Sequence, residues 1–186
     1  MAPGSEENGF HGEFAAIRAT LDYTYHKHYS RERQALQDEI ARAFLRTVVR
    51  DSHSGRWCER PSNPWVVFTA GAMGAGKSRD MRWVSERGLF PLASFVHVDP
   101  DAIRYQLPEM TGYLARDQAS AGKLTQKEAG YIQEVLMLEG LKRGKNVMVD
   151  GSLRDAEWNK GFFARVFHLE IVVRESVRAQ SMLVIA

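Results

Sequence analysis

At 186 residues the chain suits one domain with an extension, and a net charge of +2, with Arg and Lys scattered among acids, argues against a dedicated nucleic-acid surface. Its single cysteine, Cys58, excludes an internal disulfide framework and fits a reducing compartment. No apolar stretch approaches the roughly 20 residues needed to span a bilayer, and the acidic, polar start resembles neither a secretory signal nor a transit peptide, so a soluble cytoplasmic protein without membrane association is expected.

Residues 1–9 read as a disordered tail and 10–64 as a helical extension with a linker. The pattern is helical from Phe14 to Val49. Ser30 is placed to cap its second part, where Leu36, Ile40, Phe44 and Val48 recur every four residues. These helices are a candidate surface for a protein partner or for self-association. His26 and His28, two residues apart, would lie on different helix faces with no acid at ligand spacing, so both read as ordinary surface or core histidines. Asp51 to Pro64, with Gly55, Pro61 and Pro64, reads as linker.

From Trp65 the chain alternates strands and helices, which predicts an α/β fold: a P-loop parallel sheet of about four strands with flanking helices. The expected strands are 65–70, 94–99, 146–150 and 168–174. Thr125 to Arg143 is the best helix, with Ala129, Ile132, Leu136 and Leu141 as packing residues. Glu128, Glu134 and Glu139 on that helix read by default as solvated acids, and the pattern alone does not choose among them.

Ligands of such sheets bind beyond the carboxyl ends of the strands, so the residues there carry the functional argument. After the apolar strand at Trp65 comes Gly71-Ala72-Met73-Gly74-Ala75-Gly76-Lys77-Ser78, a complete Walker A loop. Its backbone N–H groups would cradle phosphates, Lys77 would reach the β- and γ-phosphates, and the Ser78 hydroxyl would ligate Mg²⁺. The second strand runs into Asp99-Pro100-Asp101, where Asp99 suits a helix N-cap and Asp101 a general base. The third strand ends in Asp150, the Walker B layout for ordering Mg²⁺. Ser152 and Arg154 follow, the latter with a donor fork suited to phosphate.

Three pieces together resemble the zeta-toxin group of P-loop small-molecule kinases. They are the Walker loop, the Asp-x-Asp segment with Arg104 and Leu107-Pro108, and the run from Glu128-Ala129-Gly130 through Glu134 to Arg143-Gly144-Lys145-Asn146-Val147-Met148-Val149-Asp150-Gly151-Ser152-Leu153-Arg154. The match spans roughly Trp65 to Trp158. The resemblance implies ATP-dependent transfer of the γ-phosphate to the 3′-hydroxyl of the amino sugar in UDP-N-acetylglucosamine, a phosphotransferase reaction with an alcohol acceptor. By position it makes Asp101 the general base, Lys77 the phosphate lysine, and Glu134, Ser152 and Arg154 the residues holding the nucleotide sugar. Ser152 stands where Thr is common, and Asp150 where Glu also occurs.

The segment after Arg154 departs from that pattern. Arg174 and Arg178 are its late arginines and neither sits in a recognisable lid, so a kinase domain over 65–186 lacking the usual lid and last strand is expected. Two alternatives stay open: a catalytically weak or silent ATP-binding module, and a P-loop kinase with a different small-molecule acceptor.

Overall fold

The computed structural model describes residues 9–51, 53–69, 76–151, 160, 161, 164 and 181–185, the last five by backbone alone. The chain forms two compact units. Met1–Leu45 and Asp99–Glu139 make the first; Arg46–Val98 and Gly140–Ala186 make the second.

The first unit is helical. Its elements are α1 (Ala15–Arg18), α2 (Arg31–Leu45), α4 (Pro100–Arg104), α5 (Met110–Arg116) and most of α6 (Gln118–Lys142). Of the stretch expected to be helical, 14–49, two pieces are α-helix, and the second begins just after Ser30. Between them Asp22 takes the N–H and the hydroxyl of Thr24 onto one carboxylate oxygen, at 2.9 and 2.6 Å, and a local turn of this kind competes with helix. The Tyr23 and His28 rings then stack with centroids 4.4 Å apart. Ser30 does cap α2, its hydroxyl accepting the Arg33 N–H at 3.3 Å. The helix stops at Leu45, ahead of the β-branched run Thr47-Val48-Val49, and Val48 is exposed beyond it.

The buried face of α2 is more polar than its periodicity suggests: Gln34, Gln37 and Asp38 lie on it beside Ile40, Ala41 and Leu45. These polar groups have partners. Gln34 donates to the carbonyls of Gly9 and Tyr29 at 2.8 and 2.7 Å and accepts the His11 N–H at 2.8 Å. Arg33 forks across Glu128 and Glu109, with bonds of 2.6–3.0 Å, and Gln37 donates to Glu128 at 2.8 Å. The bond to Glu128, then that to Glu109, keeps the Arg33 guanidinium charged still more firmly than usual, while Arg33 holds the Glu109 carboxyl below its ordinary range.

The three acids of α6 are therefore not solvated. Glu128 is half-buried in the Arg33 fork, and Glu134 and Glu139 are buried. The physical reason is that α6 is covered on nearly all sides from Tyr131 onward. An acid there follows the helix into the interior whatever the local pattern suggests.

The second unit opens with a small antiparallel hairpin: β1 (Val49–Arg50) begins on the last residue of the stretch expected to be helical, and β2 (Trp57–Cys58) lies inside the stretch read as linker. Asp51 organises it by accepting the N–H groups of His53, Ser54 and Ser62, and the bonds from Ser62, then Ser54, hold its carboxyl well below the usual range. The main sheet is wholly parallel. It holds β3 (Trp65–Thr69), β4 (Val96–Val98), β5 (Val147–Asp150) and β6 (Ser181–Ile185) in the order β4-β5-β3-β6. Three expected strands are present, each within two residues of its expected bounds. The one expected at 168–174 lies outside the described residues, and β6, which the sequence reading did not anticipate, pairs with β3. α3 (Lys77–Glu86) contributes Met81 to a core with Val67, Phe95 and Met148.

Residues 144–146 are structural. Gly144 has φ +65, and a Cβ there would sit 2.8 Å from Arg60 Nε. Lys145 Nζ donates to the carbonyls of Thr47 and Glu59, and burial pushes its pKa down. Asn146 accepts the Trp65 N–H at 2.9 Å and donates to the Ser94 carbonyl at 3.2 Å, tying the start of β3 and the turn before β4 to the start of β5. Asn146→Ala leaves both backbone groups without these partners and should cost about 1–3 kcal/mol, read by denaturant unfolding.

Candidate functional site

The register of β3 on β5 sets Thr69 beside Asp150 at the carboxyl ends of two central strands. Thr69 donates its hydroxyl proton to Asp150 Oδ1 at 2.5 Å, and Ser78 donates to Asp150 Oδ2 at 3.3 Å. The acid is thus held from both sides, with Oδ2 turned toward the first turn of α3. Of the Walker loop, Gly71, Ala72, Met73, Gly74 and Ala75 lie outside the described residues. Gly76, Lys77 and Ser78 lie within them. Gly76 caps α3 with φ +93, a left-handed conformation that a side chain would strain, and its carbonyl accepts the first helical N–H, from Asp80, at 2.9 Å. Lys77 and Ser78 are the first two residues of the helix, so both ride on a terminus whose dipole favours phosphate.

The donor set suits a hard cation. A Ser hydroxyl and an Asp carboxylate 3.3 Å apart offer oxygen ligands of the kind Mg²⁺ takes together with waters and nucleotide phosphates. Among the described residues no group of three or more His, Cys, Asp or Glu could hold a metal by itself. Ser78 and Asp150 would need the phosphates to complete a shell.

Asp101 belongs to the first unit. Asp99 caps α4 by accepting the Asp101 N–H at 2.8 Å, with Pro100 at the first helical position. That cap leaves the Asp101 carboxylate outward, 72 % exposed, with Arg104 Nη1 at 3.3 Å. Glu134, also in the first unit, is buried, and His26 Nε2 donates to its Oε2 at 2.8 Å. His26 is therefore a core histidine. His28 is exposed and stacks on Tyr23. Ser152 and Arg154 lie outside the described residues, so their placement is not described.

Two partners escaped the sequence reading. Thr69 had a signal, since a hydroxyl at the end of β3 shares a register position with Asp150 once the strands are paired. His26 had none, because its partner lies 108 residues away.

The zeta toxin family model matches residues 48–170, more than half of the chain. The chain belongs to the zeta toxin family. A solved chain from the structural characterization of the PezAT chromosomal toxin–antitoxin system of Streptococcus pneumoniae shares its fold, with a TM-score of 0.54 at 18 % identity over 90 % of this chain. The zeta-toxin-family chain described here spans 59 % of that neighbour's length. No curated protein matches it. The family has a P-loop, kinase-like fold, and the parallel sheet with flanking helices is that fold. Among the described residues no helix is long and apolar enough to cross a membrane.

Proposed function

We propose that this zeta-toxin-family chain is an ATP-dependent kinase that moves the γ-phosphate to a hydroxyl of a small nucleotide sugar of the UDP-N-acetylglucosamine type. The observation that carries the reading is Asp150, clamped between Thr69 and Ser78 where the Walker loop enters α3. An acid so held, next to a Walker A serine, has the arrangement that P-loop enzymes use to hold Mg²⁺ on nucleotide phosphates.

In this reading Gly71, Ala72, Met73, Gly74, Ala75 and Gly76 supply backbone N–H groups to the phosphates. Lys77 neutralises charge on the β- and γ-phosphates, and Ser78 and Asp150 supply oxygen ligands to Mg²⁺. When bound, that ion would neutralise charge developing on the transferring group. Asp101, exposed and free of a capping duty, takes the proton of the attacking acceptor hydroxyl. Glu134, Ser152 and Arg154 hold the acceptor. The neighbour's toxin–antitoxin system adds a protein partner to the same reading, with the helices at 14–49 as its candidate surface.

The test is incubation with Mg²⁺–ATP and UDP-N-acetylglucosamine, followed by mass spectrometry, with Lys77→Ala alongside. A phosphorylated nucleotide sugar is expected from the parent protein and should vanish in the variant. ATP bound without any product would favour the silent module or another acceptor.

A further inference from the structure

β3 is apolar up to its last residue, Thr69, which is buried although it carries a hydroxyl. A hydroxyl at that depth needs a partner, and it finds one in the Asp150 carboxylate, donating to Oδ1 at 2.5 Å. The donor has little freedom to point elsewhere. The Thr69 backbone is held in the parallel ladder from both sides, beside Asp150 on β5 and Ile185 on β6, and a β-branched side chain is stiff about χ1. The other carboxylate oxygen, Oδ2, accepts from Ser78 at 3.3 Å. One oxygen of Asp150 is therefore anchored on a buried strand, and the other faces the first turn of α3.

The way a carboxylate presents its oxygens decides which cation it suits. Mg²⁺ demands near-ideal octahedral geometry and takes one or two carboxylates with several waters. Ca²⁺ tolerates irregular shells and accepts both oxygens of one carboxylate. With Oδ1 anchored, Asp150 offers Oδ2 in a fixed direction, which favours the stricter ion. We infer that Thr69 is a positioning residue for the cation site: its hydroxyl fixes Asp150 with Oδ2 toward Ser78 and so biases the nucleotide-bound site toward Mg²⁺ over Ca²⁺. This rests on the kinase reading, in which Ser78 and Asp150 supply oxygen ligands to Mg²⁺.

The test is binding of ADP, which reads the cation without turnover, by titration calorimetry in EDTA, in Mg²⁺ and in Ca²⁺. Thr69→Val keeps the shape and the strand but removes the hydroxyl. The variant should lose most of the ADP affinity that Mg²⁺ adds in the parent, about ten-fold for a group that orients a metal ligand, and no more than about three-fold of what Ca²⁺ adds. Its ADP affinity in EDTA should stay within about two-fold of the parent, because the hydroxyl acts through the cation alone. Thr69→Ser, which keeps a hydroxyl, should retain most of the Mg²⁺ effect. Thermal melts in EDTA separate loss of fold from loss of cation binding.

A Thr69→Val protein with the parent's full Mg²⁺ effect overturns the inference and spares the kinase reading. Equal losses with Mg²⁺ and Ca²⁺ also overturn it, since the site has then loosened without changing its preference. A parent protein whose ADP affinity ignores Mg²⁺ overturns both together, because Asp150 then serves no cation.

Discussion

Asp101→Asn is expected to lower turnover by about 10²–10⁴-fold while ATP affinity stays within about two-fold, because the change removes a general base and almost nothing else. The two side chains have the same shape. The bond that caps α4 runs from the Asp101 N–H to Asp99, so it does not use the Asp101 carboxylate and survives the substitution. What is lost in the ground state is the contact with Arg104 at 3.3 Å, and with Asp101 72 % exposed such a pair is worth well under about 1 kcal/mol after solvent screening. Lys77 and Ser78, which serve the nucleotide in the same reading, belong to the other unit and are unchanged. Turnover by acceptor-dependent ADP release, beside ATP titration calorimetry, measures both halves. Unchanged turnover would remove Asp101 from the chemistry. No turnover in the parent would favour a binding module.

The sheet was legible because each central strand is a short apolar run with a turn signal at its end. Val66-Val67-Phe68 before the Walker loop and Val147-Met148-Val149 before Asp150 are of this kind. The Asp99 cap was legible for the same reason, since Asp-Pro at a strand end has few other uses. β6 was not, because Ser181-Met182-Leu183-Val184-Ile185 has no turn chemistry to bound it, and an apolar run of five fits helix or strand. Long-range polar pairing was illegible in principle. Nothing near Glu134 distinguishes it from Glu139, and nothing near Arg33 announces that it closes a fork on Glu109 and Glu128. Helix periodicity reports which face is apolar, and α6 is buried beyond that face.

Arg18 is the extreme case, and replacing it should produce the largest stability loss outside the hydrophobic core. It reads as an ordinary charged residue of a short helix, yet its side chain is 0 % exposed and lies 2.6 Å from Asp38, itself 4 % exposed. The guanidinium also donates to the carbonyls of His11 and Gln34, both at 3.1 Å, so it joins α1, the chain ahead of it and α2 at one point. Asp38 in turn accepts the Glu13 N–H at 2.9 Å, and a Cβ on Gly12 would collide with its carboxylate, so the chain is packed tightly over the pair. Arg18→Met keeps much of the volume but strands a buried carboxylate and two carbonyls. The expected cost is about 3–5 kcal/mol, a large part of the roughly 5–15 kcal/mol that holds a domain folded. Removing both charges in Arg18→Met with Asp38→Leu should recover much of that loss, because the main cost is an uncompensated charge and an apolar pair of similar volume does not carry it. Urea unfolding of parent, single and double variants measures the difference. A single variant within about 1 kcal/mol of the parent would mean that water reaches Asp38 and that the first unit is looser than its packing indicates.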